Sequence, residues 1–195
     1  MSILKIMSKK TKPIAVPAEA PVLKLDLGAG QNPQPGFTSV DLYAPNPDIR
    51  CDLFKFPLPW ENDSVSEIFA SHFIEHIPRE IRWPFFEECW RILKPEGTMR
   101  IFVPSWKSER AYGDMTHVFP PVVAMFFFYL NKGWRDANKL TYGPYAIKCN
   151  FDHQAGPTGM SGDFGSRNHE AQVFAATHYL ESYMDMWVTL TKKPM

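Results

Sequence analysis

Apolar and polar positions along the chain fall into short blocks whose period changes between strand and helix spacing. Val22, Leu23, Leu25 and Leu27 form a brief apolar run with a single lysine before the acid Asp26, and glycines follow at 28 and 30. This predicts a buried strand over 22–27 that ends in a tight turn. A second strand is predicted over 38–42, closing on Asp41. Between them Pro33, Pro35 and Gly36 leave no room for the helix that normally joins parallel strands, so the first crossover is expected to be shortened or helix-free. A brief strand at 48–52, a proline-containing loop at 53–62 across a pocket mouth, and a strand at 65–70 follow. Over 83–93, Phe85, Phe86, Cys89, Trp90 and Leu93 recur at helical spacing, with Pro84 tolerated in the first turn. Lys94-Pro95-Glu96-Gly97 stops that helix, and 98–103 alternates as a fifth strand.

The second half is less regular. A proline-opened helix is predicted over 120–131, apolar on nearly every side through Phe126, Phe127, Phe128 and Tyr129, and buried either in its own core or against a partner or second copy. Strands over 145–151 and 183–191 are expected to close the sheet as an antiparallel pair, with a long glycine-rich polar loop at 152–168 between them.

Composition narrows the class. At 195 residues, 45% hydrophobic and 14% aromatic, the chain suits one domain, expected over 21–195, behind a mobile basic tail over 1–20 that carries Lys5, Lys9, Lys10 and Lys12. No apolar run is long enough for a signal peptide or a membrane span. Lys plus Arg equals Asp plus Glu at 21 each, so no overall positive field gathers nucleic acid, which disfavours such a substrate without excluding it. Cys51, Cys89 and Cys149 are odd in number and lack ligand spacing, which favours free thiols in a reducing, cytoplasmic setting; no metal site is expected.

A glycine turn after one strand and an acid ending the next describe a nucleoside pocket at the carboxyl edge of an open α/β sheet. Asp26-Leu27-Gly28-Ala29-Gly30, Val40-Asp41, Cys51-Asp52-Leu53, Ala70-Ser71-His72-Phe73-Ile74-Glu75-His76 and Arg91-Ile92-Leu93-Lys94-Pro95-Glu96-Gly97, in that order, resemble the class I S-adenosylmethionine-dependent methyltransferases, and the small type 11-like members most. The resemblance spans 22–104 and implies a Rossmann-like α/β sheet, mostly parallel with an antiparallel last strand. It further implies that Gly28, Ala29 and Gly30 admit the methionyl part of S-adenosyl-L-methionine, that Asp26 faces its ammonium, and that Asp41, followed by Leu42, accepts both ribose hydroxyls. Asp52 would meet the adenine amino group, Leu53 the ring edge, and Ser71 and His72 the transferred methyl.

Methyl transfer from a sulfonium demands alignment more than a reactive side chain, but a hydroxyl or amine acceptor must shed a proton. His72, His76 and His117 are the candidate bases, the last within Asp114-Met115-Thr116-His117. The expected activity is methyl transfer to a small-molecule or sugar-like oxygen or nitrogen acceptor. Two other readings stand beside it: a cofactor-binding or partner-docking protein without turnover, with Phe126–Tyr129 as the contact, and a nicotinamide-dependent oxidoreductase. The last fits less well because Pro33 stands where the dinucleotide fingerprint needs its third glycine.

Overall fold

A computed structural model describes residues 22–195; the segment 1–20, read above as a tail, lies outside the described residues. Strands β1 (Lys24–Leu27), β2 (Thr38–Asp41), β3 (Ile49–Arg50), β4 (Val65–Ser71), β5 (Leu93–Pro104), β6 (Phe151–Met160) and β7 (Tyr183–Lys192) form a single sheet. Their order is β3-β2-β1-β4-β5-β7-β6. The first five are parallel, β7 runs antiparallel to β5, and β6 antiparallel to β7. Strand order reverses between β1 and β4, so the crevice for a ligand opens where those two strands end.

No helix joins β1 to β2, as the prolines predict. The loop instead leans back on the second strand, with the Gly28 and Ala29 amides both donating to the Val40 carbonyl. Helix α1 (Arg82–Ile92) crosses from β4 to β5 and buries Phe85, Phe86, Cys89 and Ile92, each fully. Burying a phenylalanine in this way stabilises the fold by about 2–3 kcal/mol. The outer side of α1 secures the 53–62 loop: Glu88 accepts the Leu58 amide, and Arg91 donates to the carbonyls of Leu58 and Trp60. The stop after α1 is not a separate turn but an irregularity inside β5, where register jumps from Val65–Leu93 to Glu67–Thr98.

Three expectations for the second half are corrected. The predicted helix over 120–131 is only α3 (Ala124–Phe128), because the chain bends at Pro120 and is still extended at Val123, and Asn131 starts α4 (Lys132–Ala137) by accepting the Trp134 amide. Its aromatics turn mostly inward: Phe127 is buried, Phe126 stacks on Trp83 with ring centroids 4.7 Å apart, and Phe128 meets Trp134 and His153. The strand expected over 145–151 does not form. Its carbonyls are taken by a guanidinium rather than a neighbouring strand, since Arg135, 3% exposed, donates to Tyr129, Ile147 and Cys149.

The sheet's outermost strand is β6, placed where a loop was expected over 152–168. Gly156, Pro157 and Gly159 disguise it, and each fits an edge: proline needs no ladder partner there, and the Trp187 indole lies across Gly156, where a Cβ would stand 2.8 Å from Nε1. Helix α2 (Arg110–Gly113) follows β5, and α5 (Gly162–Gly165) and α6 (His169–His178) join β6 to β7, with Asn168 capping α6 by accepting the Ala171 amide. Among the described residues no helix is long and apolar enough to cross a membrane.

Arg135→Met is expected to leave three buried or half-buried carbonyls without their donors and to cost about 3 kcal/mol, read as a lower midpoint in urea unfolding with an unchanged slope.

Candidate active site

The site is assembled from four loops at the carboxyl ends of β1, β2, β3 and β4. Gly28 and Gly30 adopt φ of +71° and +57°, values open to glycine. At Gly28 the demand is also steric, because an added Cβ would sit 2.2 Å from Phe73 Cδ2. Phe73 in turn stacks on Phe54 and meets Phe85 edge-on, so the glycine turn rests on an aromatic floor.

Asp41 ties the first two loops together. Its Oδ2 accepts the Gly30 amide at 2.9 Å, and its Oδ1 accepts the Tyr43 and Ala44 amides at 2.7 and 2.8 Å. Burial works against its charge, but those three donors, helped by Arg50, hold its carboxyl below the usual range. Arg50 itself donates to the carbonyls of Leu42 and Ala44, closing the same loop from the other side. Asp26 sits deeper, 2% exposed, with Oδ2 accepting the Gln34 amide at 2.7 Å. Burial, reinforced by the nearby Asp41 charge and opposed by the Gln34 amide, raises its pKa. Asp52 accepts the Phe54 amide at 3.0 Å and pairs with Lys55 at 3.2 Å, contacts that hold its carboxyl low.

A cleft of about 800 Å³ brings together Gly28, Gly30, Asp41, Leu42, Asp52, Leu53, His72 and His76. Asp26, Ala29 and Ser71, predicted with them, do not line it; Asp26 stands behind the wall. Tyr43, Phe54, Phe73 and Thr116 do line it and escaped the sequence reading, although Phe73 adjoins the predicted pair Ser71 and His72.

A second cleft, about 560 Å³, adjoins the first through His72 and His76 and adds Glu75, Arg110, Asp114 and His117. His72 follows the last residue of β4 with φ of +52°, a left-handed backbone unusual for a side-chain-bearing residue. Glu75, 3.3 Å from Nδ1, pushes the His72 pKa up despite opposition from burial, and Asp185 adds to the effect. The other two histidines meet edge to face, centroids 4.8 Å apart. His117 is brought there by Arg82, whose guanidinium donates to the carbonyls of Ile77, Val118 and Pro120, and by the Val118 amide, which donates to the Glu75 carbonyl. Ligand atoms of Glu75, His76 and His117 all lie within 4.8 Å of one another.

With this geometry in view, comparison places the fold. Residues 25–101 match the family profile described as a methyltransferase domain. An S-adenosylmethionine-dependent methyltransferase from Archaeoglobus fulgidus superposes with a TM-score of 0.63 at 16% identity, covering 88% of this chain and 86% of that one. The fold is that of the class I S-adenosylmethionine-dependent methyltransferases. A Galdieria sulphuraria protein described as a sarcosine dimethylglycine methyltransferase shares this methyltransferase fold at a TM-score of 0.51 and 16% identity, over 88% of this chain and 77% of the other. A chain of the complex between the Haloferax volcanii Trm112 methyltransferase activator and a protein described as a methyltransferase does so at 0.50 and 16%, over 93% and 86%. No curated protein sequence matches the chain. At these identities the likeness is one of methyltransferase fold, and the site must speak for the chemistry.

Gly28→Ala is expected to strain a left-handed turn and drive a methyl into Phe73, lowering the melting temperature and blunting any ligand response of the larger cleft; Gly30→Ala, with nothing within 4 Å of its Cβ, is expected to do less. Asp41 has a depressed pKa, so its contribution to stability is present above the unfolded value and is lost as pH falls through the folded one. Acid unfolding of Asp41→Asn below about pH 4 is therefore expected to be flatter than that of the parent protein.

Proposed function

We propose that this chain binds S-adenosyl-L-methionine in the larger cleft and transfers its methyl group to a small polar acceptor, a sugar-like oxygen or a nitrogen, held in the smaller one. The observation that carries this is the junction itself: the clefts share His72 and His76 at the end of β4, the edge at which a ligand of this fold is read.

The residues present fit the cofactor. Gly28 and Gly30 keep side chains away from the methionyl end, Asp26 puts a buried acid behind it, and Asp52 offers the adenine amino group an acceptor, with Leu53 beside the ring edge. Asp41 is more constrained than the resemblance implies. Three of its four acceptor places are filled by backbone amides, leaving one on Oδ2, so it grips a single ribose hydroxyl unless the Tyr43 or Ala44 amide lets go.

When bound, the cofactor supplies a methyl on a sulfonium, which a nucleophile displaces from the back. This chain's part is to align the nucleophile and ready it for attack. His72, biased towards its cationic form by Glu75, serves as a donor rather than a base. His76 and His117 border the smaller cleft, each with Nδ1 held by a backbone carbonyl. The even charge balance favours a metabolite over nucleic acid, and three free thiols suit a reducing, cytoplasmic setting.

Calorimetric titration with S-adenosylmethionine or S-adenosylhomocysteine is expected to show one saturable site, and nicotinamide dinucleotide none. Asp41→Ala loses a charged hydrogen bond of about 2 kcal/mol, near 30-fold in affinity. Equal affinity in that variant would mean the ribose is held elsewhere. Transfer of a labelled methyl group into a polar metabolite pool supports turnover, and tight binding without transfer to any pool contradicts it.

A further inference from the structure

Glu75 presents a buried carboxylate without a hydrogen-bond donor. It is 4% exposed, and neither side-chain oxygen receives a hydrogen bond. Arg82 lies nearby with its charge, yet donates to the carbonyls of Ile77, Pro120 and Val118 instead. His72, drawn towards its cationic form by this carboxylate, stands 3.3 Å from Oε1 and leaves Oε2 without a partner. A buried carboxylate is stabilised by donors or cations at both oxygens, and here His72 faces only one of them.

Two histidines stand ready beside it, each already oriented. His76 Nδ1 faces the Thr116 hydroxyl at 3.0 Å and its carbonyl at 3.4 Å, and His117 Nδ1 faces the Ala111 carbonyl at 3.2 Å. A ring nitrogen facing a carbonyl carries the proton, which leaves Nε2 on both rings with a free lone pair. An imidazole whose other nitrogen is fixed by a carbonyl is how proteins aim a metal ligand. One ligand atom from each of the three residues falls within 4.8 Å of the others. Asp114 Oδ2, 3.8 Å from His117 Nε2, stands at the exposed side.

We propose that Glu75, His76 and His117 bind a divalent transition-metal ion, of the zinc class, where the two clefts join. Two imidazoles and one carboxylate suit zinc or its neighbours rather than magnesium or calcium, which prefer oxygen alone. Three protein ligands leave a position open towards the smaller cleft, and an acceptor with a hydroxyl or carboxylate oxygen fills it. That last clause rests on the acceptor-cleft reading above, whereas the metal site rests on its own three side chains. Ligand spacing in the sequence could not show it, because His117 arrives from another loop, carried there by Arg82.

The test uses the full chain, stripped of metal with a chelator and titrated with Co²⁺ under visible absorption, with Zn²⁺ as competitor. One equivalent of Co²⁺ is expected to give saturable d–d bands that Zn²⁺ abolishes. Glu75→Gln and His117→Ala are expected to bind at least about 100-fold more weakly, while His153→Ala, outside the site, binds as the parent does. Melting temperature gives a second readout that folding failure does not confound. Zn²⁺ is expected to raise the melting temperature of the parent and to leave that of Glu75→Gln unchanged. Absent bands, or equal affinity in the variants and the parent, would overturn the metal site. S-adenosylhomocysteine binding is measured on the same stripped protein. Its loss with Co²⁺ binding intact counts against the cofactor cleft and for the metal site, and the converse overturns the metal site alone.

Discussion

One carboxylate, that of Asp41, stands in for a missing helix. In a parallel sheet the loop after the first strand is ordinarily steadied by the helix it opens, and that helix's amides are what an anionic or polar ligand meets. Here the chain goes directly from β1 to β2, and the loop is drawn in by side chains instead: Gly30 donates to Asp41, and Gln34 donates to Asp26. The same carboxylate gathers Tyr43 and Ala44 from the next loop. Two loops thus share one fixed negative charge, and the cleft between them has its shape before any ligand arrives. Burial, with a smaller push from the Asp41 charge, is why Asp26 sits high, whereas Asp41, better supplied with donors, sits low.

A second buried ion organises the other side. Arg82, at the start of α1, fastens the 118–120 segment to the turn after β4, and the Val118 amide completes the attachment on Glu75. The helix that packs Phe85, Phe86 and Ile92 into the core therefore also fixes where His117 stands. Packing and chemistry meet in one element, and Arg91 on the same helix holds the loop that follows Asp52 and Leu53. The two clefts meet at His72 and His76 because both loops are anchored to α1 or β4.

The first half of this fold was legible because local pattern and tertiary role agree there. Short apolar runs became parallel strands, the prolines at 33 and 35 did exclude a helix, and the glycines at 28 and 30 do take left-handed angles. The second half was not, because long-range partners override local signals. Residues 145–151 read as a strand, but Ile147 and Cys149 give their carbonyls to Arg135; residues 152–168 read as a loop, but 152–160 belong to an edge strand, with glycine under Trp187. Of the residues the ordered motifs singled out, Gly28, Gly30, Asp41, Leu42, Asp52, Leu53, His72 and His76 line one cleft. Phe73, Glu75 and Arg82 were not assigned a part, since their importance lies in what they touch: a glycine without room for a Cβ, the His72 imidazole, and three distant carbonyls.

Binding at the β1–β4 crevice requires the glycine turn and the Asp41 loop to close over one ligand. Amide hydrogen exchange, followed residue by residue with and without S-adenosylhomocysteine, tests that directly. Exchange is predicted to slow at 28–31, 41–45 and 51–55 and to remain unchanged around the separate cavity bounded by Phe128, Trp134 and Thr189. Protection confined to that separate cavity, with Gly30, Tyr43 and Ala44 exchanging as before, would contradict it.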